Sequence, residues 1–349
     1  MSEINIADRK IGPGQPCFII AEAGVNHNGD LETCKALIDV AIEAGADAVK
    51  FQTFTADRVS NASARKAEYQ QQATGSAESQ LEMLRRLELT PEAHYTIVDY
   101  CRKCDILFLS TPFDDKSVEL LDEIGMPAFK IGSGEITNWP FLQVIARKAK
   151  PVILSTGMSY LSEIDQAVRV LQAAGCDQLI LLHCVSSYPA DPADVNLKAI
   201  KTLETAFQVP VGFSDHTHGI EISLGAVALG ACVIEKHFTV DRNLPGPDHK
   251  ASLEPNELMA LVKGIRSLES AFGDGRKVPA PGEQDTRQFS RRSLVLKCEL
   301  KAGSSIEASM LTALRPAGGI DPSSTKFVVG RRVKRTLKAG QMLTWQDLQ

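Results

Sequence analysis

His216 and His237 are the residues of this chain whose type and setting most directly suggest chemistry. Each closes a short apolar run, VGFSDH (211–216) and CVIEKHF (232–238). Ser214 stands two residues before His216, and Glu235 two before His237. Side chains alternate across a strand, so each pair shares a face. On neighbouring strands the two imidazoles can converge on one divalent metal and leave positions open for water and substrate oxygens, as a Lewis-acid site requires. A lone strand histidine more often satisfies a core hydrogen bond. Two at adjacent strand ends, beside Ser214, Asp215 and Glu235, favour the ligand reading.

The same alternation pairs Lys50 with Gln52. A second constellation is a set of small hydroxyls at successive strand ends (Thr111, Ser133, Ser155, Ser186, Ser214) with one lysine, Lys130, and glycines alongside at 132, 134 and 157. Hydroxyls and one ammonium suit a phosphate that is held and then released. Any one serine alone could simply cap a following helix, but a buried ammonium needs an anion to offset its desolvation. Glu22 ends the run CFIIAE (17–22) near Lys50 and is a candidate acid or base. KIGSGE (130–135) lacks the G-x-G-x-x-G spacing of a dinucleotide site. Cys101 and Cys104 form a C-x-x-C without a matching second pair, which reads as incidental.

Something must bring these residues together. Six further apolar runs, CFIIAE, AVKFQ (48–52), ILFLST (106–111), AFKIGS (128–133), PVILST (151–156) and LILLHC (179–184), bring the total to eight, most of them joined by helix-length stretches. Such alternation implies βαβ units and a parallel sheet. Eight units fit a closed (β/α)8 TIM barrel over residues 1–272, with chemistry at the carboxyl ends of its strands. Thr90 and Pro91 open a helix expected over 91–104. The stretch from Gln52 to Ile106 is too long for a loop and one helix, and its polar part, AEYQQQATGSAESQ (67–80), reads as an insertion that could serve as a substrate lid.

Residues 273–284, GDGRKVPAPGEQ, read as a linker. Over 285–349, Leu300-Lys-Ala-Gly recurs 37 residues on as Leu337-Lys-Ala-Gly, which predicts a small pseudo-symmetric module whose two copies pack face to face. The full chain has 349 residues, 44% of them hydrophobic, enough for a large core. A net charge of −5 argues against nucleic acid as a partner. No apolar signal core opens MSEINIADRK and no apolar run nears membrane-spanning length, so no membrane partner and a cytoplasmic location are expected. Eight scattered cysteines fit a reduced compartment.

Taken in order, AEAGVNHNGD (21–30), VKFQTF (49–54), STPFD (110–114), KIGSGE, STGM (155–158), GFSDHT (212–217), EKHFT (235–239) and GPDH (246–249) resemble the sialic acid synthase family, the bacterial N-acetylneuraminate synthases and their relatives. The resemblance covers nearly the whole chain, and the terminal module looks like that family's antifreeze-like (SAF-type) domain. It implies condensation of phosphoenolpyruvate with an open-chain N-acyl-mannosamine-type aldehyde, a divalent metal (manganese, with magnesium or cobalt as alternatives) and a homodimer that lends its C-terminal domain in trans. By the same resemblance His216 and His237 are metal ligands. Thr111, Lys130, Ser133, Ser155 and Ser214 bind phosphoenolpyruvate, as does Ser186 where some members carry asparagine. Gln52, Glu135, Tyr188 and Asp248, with Phe289 and Arg315 of the partner's terminal domain, bind the sugar beside Lys50, and Glu22 is the acid/base.

The reaction expected first is N-acetylneuraminate synthesis from N-acetylmannosamine. The same reaction on a modified sugar, giving legionaminic or pseudaminic acid, is the alternative within this class. A phosphoenolpyruvate–sugar phosphate synthase would need a second cationic clamp, and the strand ends carry no surplus arginine cluster. From another class, the module could mark a non-catalytic carbohydrate-binding scaffold, against which the retained Glu22, Lys130, His216 and His237 argue.

Overall fold

All eight apolar runs form strands of one parallel sheet. Two short strands, β1 (Ile4–Ile6) and β2 (Arg9–Ile11), first pair as an antiparallel hairpin that the sequence did not announce. The sheet then runs through β3 (Phe18–Gly24), β4 (Ala48–Thr53), β5 (Leu107–Pro112), β6 (Phe129–Ile131), β7 (Val152–Ser155), β8 (Leu179–Cys184), β9 (Val211–Asp215) and β10 (Val233–His237). Its order is β5-β4-β3-β10-β9-β8-β7-β6, and β5 and β6 lie side by side at the remaining seam. Every strand therefore neighbours its sequence neighbours, the winding of a TIM-like barrel, nearly closed. The computed structural model describes residues 3–75 and 78–349. It divides into two units, Met1–Phe272 and Gly273–Gln349.

The strands are buried on both faces, one toward the barrel interior and one under the helices, which is why they read as continuous apolar runs. Helices start and stop where local chemistry directs. Asp30 accepts a hydrogen bond from the Thr33 amide at 2.7 Å to open the helix Leu31–Ala44, and Gly45, left-handed at φ 78°, closes it. The helix Pro91–Lys103 begins at the expected Thr90 cap. The fourth run is shorter than its apolar pattern. Ser133 falls past β6 in a tight turn over Ser133–Glu135, and His216 lies one residue beyond β9.

The insertion contains short helices over Ala56–Val59, Glu68–Thr74 and Gln80–Leu87. Val25, Phe54, Met83 and Leu87 form a small core beneath it, separate from that of the barrel. Residues 76–77 of the 67–80 stretch lie outside the described residues. Among the described residues no helix is long and apolar enough to cross a membrane.

In the second unit, part of the 273–284 stretch is ordered into a turn at Pro281–Glu283, and a helix runs over Gln284–Ser290. Strands β11 (Ser293–Leu296) and β12 (Leu311–Leu314) pair antiparallel. The two repeat copies meet where their first leucines fall. Leu300 and Leu337 exchange both backbone hydrogen bonds, at 2.9 Å each way. Leu300, Ile306 and Leu311 of one copy and Leu337, Leu343 and Leu348 of the other share one core. Leu343 is fully buried there. Leu343→Ala is expected to cost the second unit about 2–5 kcal/mol, a large share of what so small a core supplies. The chain's two tryptophans fall one to each unit, so urea unfolding followed by Trp345 fluorescence in a Trp139→Phe background reads the loss directly. An unchanged transition would remove Leu343 from that core.

Candidate active site

Strand register sets the first contacts. Glu22 stands opposite His237 on one side and Lys50 on the other, so β10, β3 and β4 deliver an imidazole, a carboxylate and an ammonium side by side. Gly24, left-handed at φ 54°, follows a register shift in β3; a Cβ there would lie 3.3 Å from His237 Cε1 and press on the ring, so glycine eases both the backbone turn and the approach of the imidazole.

Four charges meet in the barrel mouth. Lys50 Nζ lies 2.6 Å from Glu22 Oε2 and 3.6 Å from Glu235 Oε2, and donates to Thr111 Oγ1 at 3.0 Å. Lys130 Nζ lies 3.6 Å from Glu235 Oε1 and donates to Ser155 Oγ at 2.8 Å and the Ile131 carbonyl at 3.1 Å. Ser214 Oγ completes the set with a 2.9 Å hydrogen bond to Glu235. All four charged side chains are buried. Burial raises Glu22 to about 7 against the pull of Lys50. Burial alone would raise Glu235 too, but Lys130 and Lys50 reverse the effect and hold it at about 2. Desolvation lowers Lys130, whereas for Lys50 the two carboxylates outweigh the same penalty and raise it. Burial thus pushes one acid up toward neutrality, while the two lysines hold the other low.

A pocket of small groups adjoins Lys130. Ser133 Oγ accepts from the Gly157 amide at 2.8 Å and contacts Cys184 Sγ at 3.1 Å. A Cβ on Gly157 would fall 2.3 Å from Ser186 Oγ and 2.8 Å from Cys184 Sγ, so the approach of these hydroxyls depends on the glycine. Serine hydroxyls beside a buried ammonium are the donor set that a tetrahedral anion would need.

The imidazoles are set for a cation. His216 Nδ1 pairs with the Val185 carbonyl at 2.8 Å, which fixes the proton on Nδ1 and leaves Nε2 with a lone pair. His237 Nδ1 is buried without a hydrogen-bond partner, and the ring centroids are 5.5 Å apart. Burial holds His216 at about 4 and His237 well below its usual range, so both are neutral, the form that binds metal. Among the described residues no group of three or more histidine, cysteine or acidic side chains forms a ligand set. A metal here would take two nitrogens from the protein and its other ligands from water and substrate. The residues fit that role.

Twelve of the expected residues line one cavity of about 330 Å3: Glu22, Lys50, Gln52, Thr111, Lys130, Ser133, Ser155, Ser186, Tyr188, Ser214, His216 and His237. Four do not. Glu135 accepts from Asn138 at 2.7 Å in its own turn, outside the cavity lining. Asp248 is buried and raised to about 6 by desolvation, close enough for its charge to add to the burial that raises Tyr188. Phe289 and Arg315 belong to the second unit, where Phe289 is 62% exposed and Arg315 Nε donates to the Ser290 carbonyl at 3.0 Å.

The cavity also holds residues that the sequence reading left out. Glu235, which alternation with His237 places in the mouth beside the histidines, is also the counterion of Lys50 and Lys130. Cys184 has the same signal, two before Ser186. Tyr69 comes from the insertion and stacks on Tyr188 at 5.0 Å; Tyr188 in turn packs on His216 at 4.2 Å. No periodicity marks Tyr69.

Burying four charges is costly unless they act on something, and their place at the carboxyl ends of barrel strands makes this chain an enzyme. Residues 37–277 match the NeuB family and residues 291–349 the SAF domain. The chain is 50% identical to the N,N'-diacetyllegionaminic acid synthase of Campylobacter jejuni over 93% of its own length and 98% of that protein's. It is 48% identical to the protein of the same name from Legionella pneumophila over 97% and 96%. The crystal structure of N-acetylneuraminic acid (sialic acid) synthetase from Leptospira borgpetersenii superposes with a TM-score of 0.72 at 40% identity, covering 82% of this chain and 95% of that one. The chain belongs to the NeuB family of sialic acid synthases and is a nonulosonic acid synthase, a transferase.

Lys50 is the group on which the charge balance turns. Lys50→Met leaves Glu22 and Glu235 facing each other without it, and is expected to destabilise the barrel by about 3–5 kcal/mol at pH 8. Glu22, already above its unfolded value, then rises further, and Glu235 loses one of the two cations that hold it down, so the folded variant takes up protons more readily as pH falls. The deficit against wild type should shrink at pH 5. Urea unfolding at both pH values measures it; equal losses would mean the lysine is not the balancing cation.

Proposed function

We propose that this chain condenses phosphoenolpyruvate with an open-chain, six-carbon acceptor sugar carrying two acetamido groups, and that the product is N,N'-diacetyllegionaminic acid. The reaction is supported above all by Lys130 beside the Ser133–Gly157–Ser186 pocket, an anion site adjoining the Glu22–Lys50 pair. The acceptor is supported by the comparisons. Identity to the two diacetyllegionaminic acid synthases, 50% and 48%, exceeds the 40% to the sialic acid synthetase. The modified sugar therefore replaces N-acetylmannosamine as the favoured acceptor.

Bound on His216 and His237, a divalent metal, manganese first and magnesium or cobalt as alternatives, would supply Lewis-acid polarisation of the aldehyde oxygen, worth several kcal/mol. The protein's own groups do the rest. Gln52 and Tyr188 line the cavity on the acceptor side, while Lys130, Ser133, Ser155 and Ser186 fix the phosphate, so the alkene carbon faces the aldehyde carbon. A C–C bond forms between them, and water adds to the electron-poor carbon left behind. Collapse of that tetrahedral centre breaks its bond to the phosphate oxygen. One proton of the water ends on the new hydroxyl and the other on the departing phosphate. Glu22, poised near neutrality, can take up the first and pass it on; Glu235 stays charged and keeps both lysines protonated.

The same reading has Phe289 and Arg315 reach the sugar from the second unit of another copy of the chain in a homodimer. The exposure of Phe289 and the hydrogen bond from Arg315 to the adjoining Ser290 support it, since they hold the two residues together as one patch. The cytoplasm fits the phosphoenolpyruvate supply and the eight unpaired cysteines.

Phosphate release from phosphoenolpyruvate, with manganese and a panel of N-acyl sugars, tests the proposal. The diacetamido sugar is expected to exceed N-acetylmannosamine in kcat/KM by about tenfold or more, because a buried polar group built for the second amide is left unpaired by the simpler sugar. EDTA and His237→Ala should each abolish release. Preference for N-acetylmannosamine would restore N-acetylneuraminate synthesis, and silence with every sugar would leave the carbohydrate-binding scaffold. Arg315→Ala should raise the sugar KM about tenfold or more and leave phosphoenolpyruvate binding unchanged; an unaltered sugar KM would refute the role in trans.

A further inference from the structure

The residues just before the two histidines form a buried ion pair on the other face of the barrel wall. Asp215 precedes His216 and Lys236 precedes His237. Asp215 and Lys236 stand opposite each other in the β9–β10 ladder, and their side chains meet at 2.9 Å with 0% and 1% exposure. Alternation puts this pair outward, under the helices, while Ser214, Glu235 and the imidazoles face the cavity.

The pair is tied to the backbone on both sides of His216. Asp215 Oδ1 accepts from the Thr217 amide at 2.8 Å and from Thr217 Oγ1 at 2.7 Å. Its Oδ2 accepts from Ser223 Oγ at 2.5 Å, in the helix Glu221–Ala228. Lys236 Nζ donates to the Thr217 carbonyl at 2.5 Å. Residues 215 and 217 are thus both clamped to the residue before His237, while the intervening His216, one residue past β9, is held on its other side, where its carbonyl accepts from the Ala190 amide at 2.9 Å in an isolated bridge. A buried ion pair is often matched in stability by well-packed apolar residues, so stability alone gives little reason for one here. What apolar residues cannot supply is directional anchoring of a turn to a strand.

We propose that Asp215 and Lys236 are positioning residues that fix the separation and orientation of His216 and His237 toward a divalent metal. Neither touches the metal, the substrate or the cavity. They act through the backbone, as supports one shell out from the ligands do in other metal sites, where their removal typically costs ten- to a hundredfold in metal affinity. The inference rests on the reading of the two histidines as metal ligands.

The test is Mn2+ binding to the full chain, with free Mn2+ followed by electron paramagnetic resonance and folding checked by urea unfolding. Asp215→Leu combined with Lys236→Met replaces the pair by apolar groups. It is expected to retain most of the stability and to weaken Mn2+ binding by about ten- to a hundredfold. Wild-type affinity in that folded variant would overturn the proposal and leave the pair as a support for the helix only. Should the double variant fail to fold, Ser223→Ala loosens Asp215 without stranding a charge and should weaken Mn2+ binding about two- to tenfold; unchanged affinity there would likewise overturn it. His237→Ala separates the two layers. If it binds Mn2+ as the wild type does, the metal site itself is wrong and the positioning claim falls with it; if it loses binding while the pair variants keep theirs, only the positioning claim fails.

Discussion

Charge compensation among buried side chains in the barrel mouth is the constraint on which this site depends. The parallel ladders already satisfy the strand backbones, so the barrel mouth has to neutralise only its side chains. Glu22, Glu235, Lys50 and Lys130 do this among themselves, and fully ionised they sum to zero. Glu235 lies between both lysines, so neither ammonium is left alone whatever Glu22 does. That arrangement frees Glu22 to exchange a proton near neutral pH.

The insertion and the histidines meet through stacked rings. Tyr69 lies on Tyr188, Tyr188 on His216, and His216 beside His237. One side of the cavity is thus an aromatic wall that begins in a segment with its own small core and ends at the imidazoles. The helix Glu68–Thr74 is short and holds through Lys66, whose buried ammonium donates to Thr74 at 2.8 Å and Glu78 at 3.2 Å.

The sequence made the barrel legible because a parallel sheet covered on both sides needs runs such as LILLHC and CVIEKHF, and eight such runs have few other solutions. Strand alternation then found the inward residues, including Lys50, His216 and His237. It stops working where the chain leaves the ladder. Glu135 follows β6 into a tight turn and bonds to Asn138, and the hairpin of β1 and β2 is too short to carry a period. Tyr69 enters through an insertion whose composition is polar and whose position is set by packing. Glu235 is placed in the mouth by the rule that places His237, but only as a neighbour of the histidines; that it is the counterion of two lysines depends on strand register and shows only in the structure.

Acceptor choice is the part of the function least written in any pattern, for a physical reason. The phosphate end of the cavity is made by strand termini, whose geometry the barrel dictates: Ser155 of β7 can stand only where Lys130 of β6 reaches it. The other end is made by Ala67 and Tyr69 of the insertion and by Tyr188, which lies on the connection after β8. Such segments vary in length and course without disturbing the barrel. A change at that end of the cavity leaves the strand ends at Lys130 as they are, and relatives of this chain are named for different products. For this chain, likeness over the whole length carries more about the sugar than any single motif does, because the selecting contacts are spread over loops that no motif spans.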